Sequence, residues 1–389
     1  MRFLPFEYAV RNLGRSPMRC LLSIAGAALV VVLVLGAAAF VTGMTQSLHV
    51  SASANNVIVL GAGSEESVER SEIDPLTATI LAASVDGIEE RLNVPYVSPE
   101  VHMALPVHTA PDQASGSLGV IRGVTPTAFL VHPQVQIIAG RAPETGMDEI
   151  MVGRLGSAKL GLDDDALRVG SQVWIDDRAL TISGLFEAPG TVMDAEIWMP
   201  LTDLQVIAQR DSLSCVVLTL NDSGDPSDVS VFAAQRLDLE IASMREADYY
   251  AQLADFFGPV RIMVLVTAAL IAMGGILGGL NTMYAAFASR VRELGTLQTL
   301  GYSRIAIILS LVQESLLTAA IGALIACTVG LLVFDGVAIR FSMGAFGLVV
   351  DGRVMTVSLF AGLALGVIGA LPPAWRCLRL PITDALKTG

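Results

Sequence analysis

The chain has 389 residues, of which 53% are hydrophobic and only 16% charged, with a mean hydropathy of +0.62. That balance excludes a wholly soluble protein and fits a membrane protein with a large soluble part. The net charge of −13 gives no footing for a nucleic-acid partner.

The N-terminal stretch, residues 1–19, places Phe6, Ala9, Val10 and Leu13 at i, i+3, i+4 and i+7 after Pro5. Glu7 and Arg11 are spaced for an i,i+4 pair on the opposite side. This predicts an amphipathic helix lying on the inner membrane face and turning at Ser16-Pro17 into the bilayer. Cys20–Met44 then runs 25 residues without a charge, which predicts span one (20–44). Its length argues against a cleaved signal peptide, whose apolar core runs roughly 7–15 residues.

Residues 45–257 carry 31 Asp/Glu and 11 Lys/Arg, a balance of −20, whereas the rest of the chain stands at +7. This long acidic segment is expected to be an exported α+β domain. Asn56–Gly61, Ser117–Gly123, Glu149–Val152, Ser171–Ile175, Ala179–Phe186 and Ser214–Leu220 read as strands. Asp74-Pro75 opens a helix to about Val85 and Asp225-Pro226 another to about Leu239. A mostly β insert is expected over about 130–212, and Ala247–Phe257 as a stalk leading to Gly258-Pro259 at the membrane surface.

Three more spans follow. Ile262–Ala288 holds no charge over 27 residues (span two, 258–288), and Ile305–Phe334 holds only Glu314 over 30 (span three, 305–334). Val354–Leu371, with Trp375 as an interfacial anchor, predicts span four (354–375) after a short external loop, 335–353. Between spans two and three, residues 289–304 hold Val291, Leu294, Leu297 and Leu300 at every third position. Gly301 is placed to end this helix and Ser303 to N-cap the next. Arg2, Arg11, Arg15 and Arg19, then Arg290, Arg292 and Arg304, then Arg376, Arg379 and Lys387 put the positive charge on one side. The 289–304 helix and both termini, including the tail 376–389, are therefore expected in the cytoplasm.

Catalytic motifs are absent: there is no Gly-x-x-x-x-Gly-Lys-Ser/Thr loop, no His-Glu-x-x-His run and no Gly-x-Ser-x-Gly elbow. His49, His102, His108 and His132 lack ligand spacing and read as solvated or core-satisfied side chains, although His102 and His108 are candidates to meet in one strand pair. Asp163-Asp164-Asp165 reads as a polar turn, because it lacks the Gly and terminal Glu of a calcium loop. Of Cys20, Cys215, Cys327 and Cys377 only Cys215 is outside the membrane region, so no disulfide is expected. Gly274, Gly275, Gly278 and Gly279 on span two, and Gly362 with Gly366 on span four, are spaced for close helix packing, within one subunit or at a dimer seam. Glu314 inside span three calls for a polar partner such as Gln313 or Ser315 and reads as a structural hydrogen-bonding group.

The run Arg292-Glu293-Leu294-Gly295-Thr296-Leu297, then Leu300-Gly301, then Gln313-Glu314-Ser315-Leu316-Leu317 resembles the signature of FtsX-like permeases of ABC transporters. Leu371–Arg376, Pro381-Ile382 and Ala385-Leu386 resemble the closing motif of that family, and Ala9, Asn12, Arg15, Pro17, Arg19 and Leu22 its approach to span one. Val120–Pro126, Gly140-Arg141 and Asp148–Gly153 resemble the MacB-type periplasmic core domain. Gln298-Thr299 and Leu380 depart from the family pattern.

The resemblance implies an α-helical inner-membrane protein with four transmembrane helices and a large α+β domain inserted between spans one and two. It implies a non-enzymatic permease that dimerises with a second copy or paralogue and docks a separate ATPase subunit, which holds the ATP and Mg. A periplasmic adaptor and membrane lipids are further expected partners; the substrate class is efflux cargo or envelope lipoprotein. Arg292, Glu293, Leu294, Leu297, Leu300 and Gly301 would form the docking helix, its apolar row entering the ATPase groove and Glu293 meeting a basic group at the rim. The alternative is a non-transport scaffold or sensor regulating an envelope partner such as a peptidoglycan hydrolase.

Overall fold

The computed structural model describes residues 6–111, 116–341 and 344–379. Arg2, Pro5, Leu380, Pro381, Ile382, Ala385, Leu386 and Lys387, used above, lie outside the described residues. The chain divides into two compact units. The membrane unit takes in residues up to Thr42, Pro259–Val337 and residues from Leu348 onward; the sheet unit comprises Gly43–Gly258 and Ala338–Gly347.

Four helices are long and apolar enough to cross a membrane: Pro17–Ser51, Gly258–Ala288, Arg304–Val329 continued by a π turn to Phe334, and Gly352–Leu378. Helices are what such sequences must form, since a backbone in hydrocarbon has to satisfy its own hydrogen bonds. Ser303 accepts a hydrogen bond from Ala306 N at the start of span three, and Asp351 accepts one from Val354 N at the start of span four. The last helix continues through Pro372 and Pro373 to Leu378.

Small residues let these helices touch. A Cβ built on Gly362 meets that of Ala323 at 2.8 Å, and one on Gly366 meets that of Ala319 at 2.7 Å. Gly322 is as tight, lying 2.7 Å from Ile24 O by the same construction. Span one turns Ala27, Val31, Leu35 and Ala39, one every four residues, into this contact. Span two stands apart, with none of its most apolar 18-residue stretch buried within this chain. Of the four glycines at 274–279, Gly275 packs on Val30 and Leu365, whereas Gly274, Gly278 and Gly279 have no described atom within 4 Å of an added Cβ.

The sheet unit is built on ten strands: β1 Asn56–Gly61, β2 Val97–His108, β3 Ser117–Val124, β4 Gln136–Gly140, β5 Glu149–Gly153, β6 Gln172–Ile175, β7 Arg178–Glu187, β8 Ile197–Pro200, β9 Cys215–Thr219 and β10 Ile241–Arg245. Their order is β10-β1-β9-β2-β3-β8-β5-β7-β4, with β6 bridging β2 and β7. β2 joins the two halves, pairing its Val97–Glu100 end with β9 and Val101–Val107 with β3. The expected β-rich insert therefore extends the same sheet, supplying β4–β8 at one end, and is not a separate layer. The six expected strands form; β2, β4, β8 and β10 are additional. The two expected helices are Thr77–Ser84 and Pro226–Gln235, the second four residues shorter than its pattern. Apolar residues from both sheet halves make one core, and Trp198 is fully buried between the rings of Phe186 and Phe129 at 5.4 and 5.9 Å.

Candidate coupling site

Between spans two and three, Val291–Thr299 is a nine-residue helix. Its end is fixed by backbone chemistry. Gly301 takes φ +91°, Gly301 N donates to Gln298 O, and Tyr302 N donates to Leu297 O at 3.2 Å. This is a Schellman ending, in which a left-handed glycine satisfies the last carbonyls and the flanking apolar pair, Leu297 and Tyr302, packs into one cluster. Span three then starts two residues later, so the connector has little freedom.

The first three residues of the apolar row are turned inward. Val291 and Leu294 are buried with Phe287, Ile307, Leu311, Ala374 and Leu378, and Leu297 packs against them. This corrects the expectation that the row enters a partner's groove: it holds the connector to the ends of spans two, three and four. The outward face is Arg292, Thr296, Thr299 and Leu300, with Leu300 62% exposed.

Glu293 is likewise an internal group. Its Oε1 accepts from the Tyr8 hydroxyl at 2.8 Å and from Arg15 Nη1 at 2.7 Å, and its Oε2 accepts from Arg290 Nε at 3.2 Å. Partial burial alone would raise its carboxyl, but the hydrogen bonds from Tyr8 and Arg15 and the charge of Arg290 hold it below the usual carboxylate value. Arg290 continues the chain, donating Nη1 to Glu314 at 3.0 Å. Glu314 thus pairs with Arg290 rather than with Gln313 or Ser315, whose hydroxyl instead donates to Gly366 O at 2.8 Å. The line Arg15–Glu293–Arg290–Glu314 ties the Phe6–Arg15 helix, the connector and span three together. The sequence does not single out Tyr8, Arg15 and Arg290 as partners; three charges within four residues, at 290, 292 and 293, give no sign of which faces inward.

The span-two glycines divide between two situations. Gly275, Gly278 and Gly279, with residues of spans one, three and four that include Ser315 and Gly366, border a cavity of about 340 Å³. A Cβ added at Gly275 meets Val30 and Leu365, and one added at Gly369 of span four meets the Gly279 backbone at 3.8 Å, whereas an added Cβ at Gly274, Gly278 or Gly279 meets no described atom within 4 Å.

The sheet unit holds a second polar site. Glu100 and His102, two apart on β2, share one sheet face; Arg122 lies opposite His102 on β3, and Cys215 opposite Glu100 on β9. Arg122 donates to both oxygens of Glu196, at 2.7 and 2.8 Å, and to Glu100 at 2.9 Å. Glu100 also meets His102 Nε2 at 3.0 Å and His132 Nε2 at 2.9 Å, and Glu246 accepts from Ser53 N and Asn56 Nδ2, both at 2.9 Å. Burial opposes the charge on Glu100, yet His132 and Arg122 hold it well below the carboxylate range; Arg122 does the same, less strongly, for Glu196. At Glu246 burial outweighs the charge of His132, 4.0 Å away, and the hydrogen bonds from Ser53 and Asn56, and pushes the carboxyl up. His102 is core-satisfied, as expected, but it shares strand β2 with His108 instead of facing it across a pair. No described cysteine forms a disulfide.

Comparison with known proteins bears on both units. Residues 20–231 match the MacB-like periplasmic core domain, and residues 265–382 the FtsX-like permease C-terminal domain. The macrolide export ATP-binding/permease protein MacB of Nitrobacter winogradskyi is 25% identical over 261 residues, 63% of this chain and 39% of that protein. The uncharacterized ABC transporter permease YknZ of Bacillus subtilis is 22% identical over 58% of each chain. This chain thus spans 39–58% of the length of these relatives. Among solved structures, the periplasmic region of MacB from Actinobacillus actinomycetemcomitans aligns at 12% identity over 53% of this chain and 94% of that one, with a TM-score of 0.39.

Proposed function

The chain belongs to the FtsX-like permeases that carry a MacB-like periplasmic core domain, and from that premise we propose how it works. It is a multi-pass membrane protein of the ABC transporter permease class. Its connector helix docks a separate ATP-hydrolysing subunit from the cytoplasm. Closure of that subunit on ATP moves spans two and three together and so drives a change in the sheet unit, which is exported. The work done is export or extraction of an envelope substrate, of efflux or lipoprotein type. A second copy or paralogue packs on span two, whose apolar surface is left open, and a periplasmic adaptor is a further partner. ATP and Mg are held by the partner, with both termini of this chain in the cytoplasm.

The observation that carries this reading is the connector itself. Its inner face is locked to three spans by the Val291–Leu294–Leu297 row and by Glu293 and Arg290, while its outer face presents a cation and an exposed leucine. A surface so held transmits a push instead of absorbing it. Because Glu293 is engaged internally, docking is assigned to Arg292, Thr296, Thr299 and Leu300.

The test is reconstitution with the cognate ATPase. Arg292→Glu and Leu300→Asp change exposed side chains, so membrane insertion is expected to survive. Each is expected to reduce ATPase stimulation about tenfold or more, equivalent to losing roughly 1.4 kcal/mol of contact. Full stimulation in both variants would refute docking through this face. If a peptidoglycan hydrolase copurifies and an ATPase does not, the scaffold reading replaces the transporter.

A further inference from the structure

We propose that the sheet unit binds a single zinc ion through Glu100, His102 and Cys215. One ligand atom from each of these three residues falls within 4.8 Å of the others, and all three side chains are buried. The strand register makes the arrangement. Glu100 and His102 alternate onto one face of β2, and Cys215 is the direct cross-strand neighbour of Glu100 on β9, so the three are held by paired backbone rather than by loops. Sites carried on regular elements keep their ligand geometry.

The donor set points to the ion. A thiolate, an imidazole and a carboxylate together suit zinc, which takes sulfur, nitrogen and oxygen in four-coordinate sites, better than they suit calcium or magnesium, which take oxygen alone. Three protein ligands leave the fourth position for water, and a cavity of about 60 Å³ borders all three ligands, with Glu246, Tyr249 and Tyr250 on its other walls. That volume accommodates a water molecule, whose share of the liquid is about 30 Å³.

The charges also call for a cation. Glu100, Glu196 and Glu246 are all buried here, against one guanidinium, that of Arg122, and the imidazoles of His102 and His132. Buried charge is stable only when matched. A divalent ion supplies what Arg122 alone does not. On binding, zinc takes the His102 Nε2 position that faces Glu100 Oε2, and the single proton of the neutral ring passes from Nε2 to Nδ1, so the imidazole releases none. The Cys215 thiol gives up its proton to solvent, so that the bound ligands are a neutral imidazole, a carboxylate and a thiolate. His132, which holds the other oxygen of Glu100 at 2.9 Å, is then the group that orients the carboxylate. Glu246 begins the helix Glu246–Phe256 and lines the same cavity, so an occupied site braces that helix against the sheet.

The experiment uses the full chain in detergent, stripped with a chelator and titrated with zinc and, separately, cobalt(II). One equivalent of zinc is expected to bind against a competing chromophoric chelator, with one proton released per ion. Cobalt is expected to show the near-ultraviolet thiolate charge-transfer band and the intense visible bands of a tetrahedral site. Cys215→Ser is expected to abolish the charge-transfer band, and His132→Gln to weaken affinity about 10–100-fold. Because these side chains are buried, Trp fluorescence and gel filtration check that each variant is folded. The cobalt spectrum of the unmutated protein decides the question even if the variants do not fold. A folded wild-type chain that binds no ion, or binds cobalt without a sulfur band, would overturn the site and leave a proton-held polar cluster.

Discussion

In span two, Ile262, Leu265, Leu270 and Leu277 are between 49% and 62% exposed, whereas in the sheet unit Leu60, Ile121, Ile150 and Trp198 are at 0%. The residue types are similar and the surrounding solvent is not. Water drives the sheet unit to remove apolar surface, at roughly 25 cal/mol per Å² buried. A lipid-facing helix has no such drive, and its contacts come from fit: the Gly362–Ala323 and Gly366–Ala319 approaches. Charge is distributed in the reverse sense. The sheet unit seals Arg122 and its glutamates in its interior, while the membrane unit keeps Arg15 and Glu293 partly in water at its edge.

The strongest way to break this contrast is at Arg122. Arg122→Met removes the cation shared by Glu100 and Glu196 and leaves buried carboxylates unmatched, which costs about 3–5 kcal/mol. A large drop in the thermal midpoint of the sheet unit, followed by Trp198 fluorescence, is expected. A change under 1 kcal/mol would mean that the cluster is hydrated.

The pH dependence of that cluster has two opposing parts, best read in chelator-treated protein. Glu196 is held below its ordinary value of 4.5, so its contribution is fully present above 4.5 and is lost as pH falls through the depressed value. Glu246 is raised above 4.5, so its contribution is present below 4.5 and is lost as pH rises through the raised value. Melting curves from pH 3 to 7 should therefore fall off on the acid side. Glu246→Gln should gain on the wild type as pH rises above 4.5, and a constant difference across that range would refute the assignment.

How much of this was legible beforehand follows the same division. The spans were readable because a run of about 20 apolar residues is a property of consecutive positions, and Gly301 and Ser303 announced their caps locally. Strand β2 was not, since Pro99 and Pro106 interrupt it and its two ends pair with different partners, β9 and β3. The buried cluster draws on Glu100, Arg122, His132, Glu196, Cys215 and Glu246, which only the sheet order brings together. Of the Val291–Leu294–Leu297–Leu300 row, the first three share a helix face and Leu300 is 62% exposed, because a spacing of three drifts around a helix of 3.6 residues per turn; nor does that spacing say whether the face meets a partner or the chain's own spans. Its being buried at home is a tertiary fact.

Within the membrane unit the contrast sharpens at the glycines. Gly366→Leu must displace Ala319 and the Leu316 backbone, 2.7 and 3.3 Å from the first added carbon. Overpacking of this kind costs about 1–3 kcal/mol. At Gly274 the first added carbon meets no described atom within 4 Å, and Gly274→Leu should leave the isolated chain as stable as the wild type. Thermal aggregation in detergent would compare them. If Gly274→Leu proves as damaging as Gly366→Leu in the isolated chain, fit is not what holds the spans together. If it is harmless there yet blocks formation of a two-copy complex, span two is the seam.

The smallest effect is expected at Arg15, and it isolates burial from geometry. Arg15–Glu293 and Arg122–Glu196 both bring N and O to 2.7 Å, but the first pair's side chains are 64% and 33% exposed and the second pair's 3% and 6%. Water screens the first pair, and holding two long side chains in place opposes it, so such contacts are worth about 0–1 kcal/mol. Glu293 also keeps Tyr8 and Arg290 when Arg15 is removed. Arg15→Ala should therefore shift stability by less than about 1 kcal/mol, against several for Arg122→Met at the same contact distance. Adding 0.5 M salt should erase most of even that difference, because the screening length at such ionic strength is shorter than at physiological 0.15 M, where it is about 8 Å. A salt-insensitive loss of 2 kcal/mol or more at Arg15 would show that the Phe6–Arg15 helix is clamped to the connector far more firmly than a surface ion pair allows.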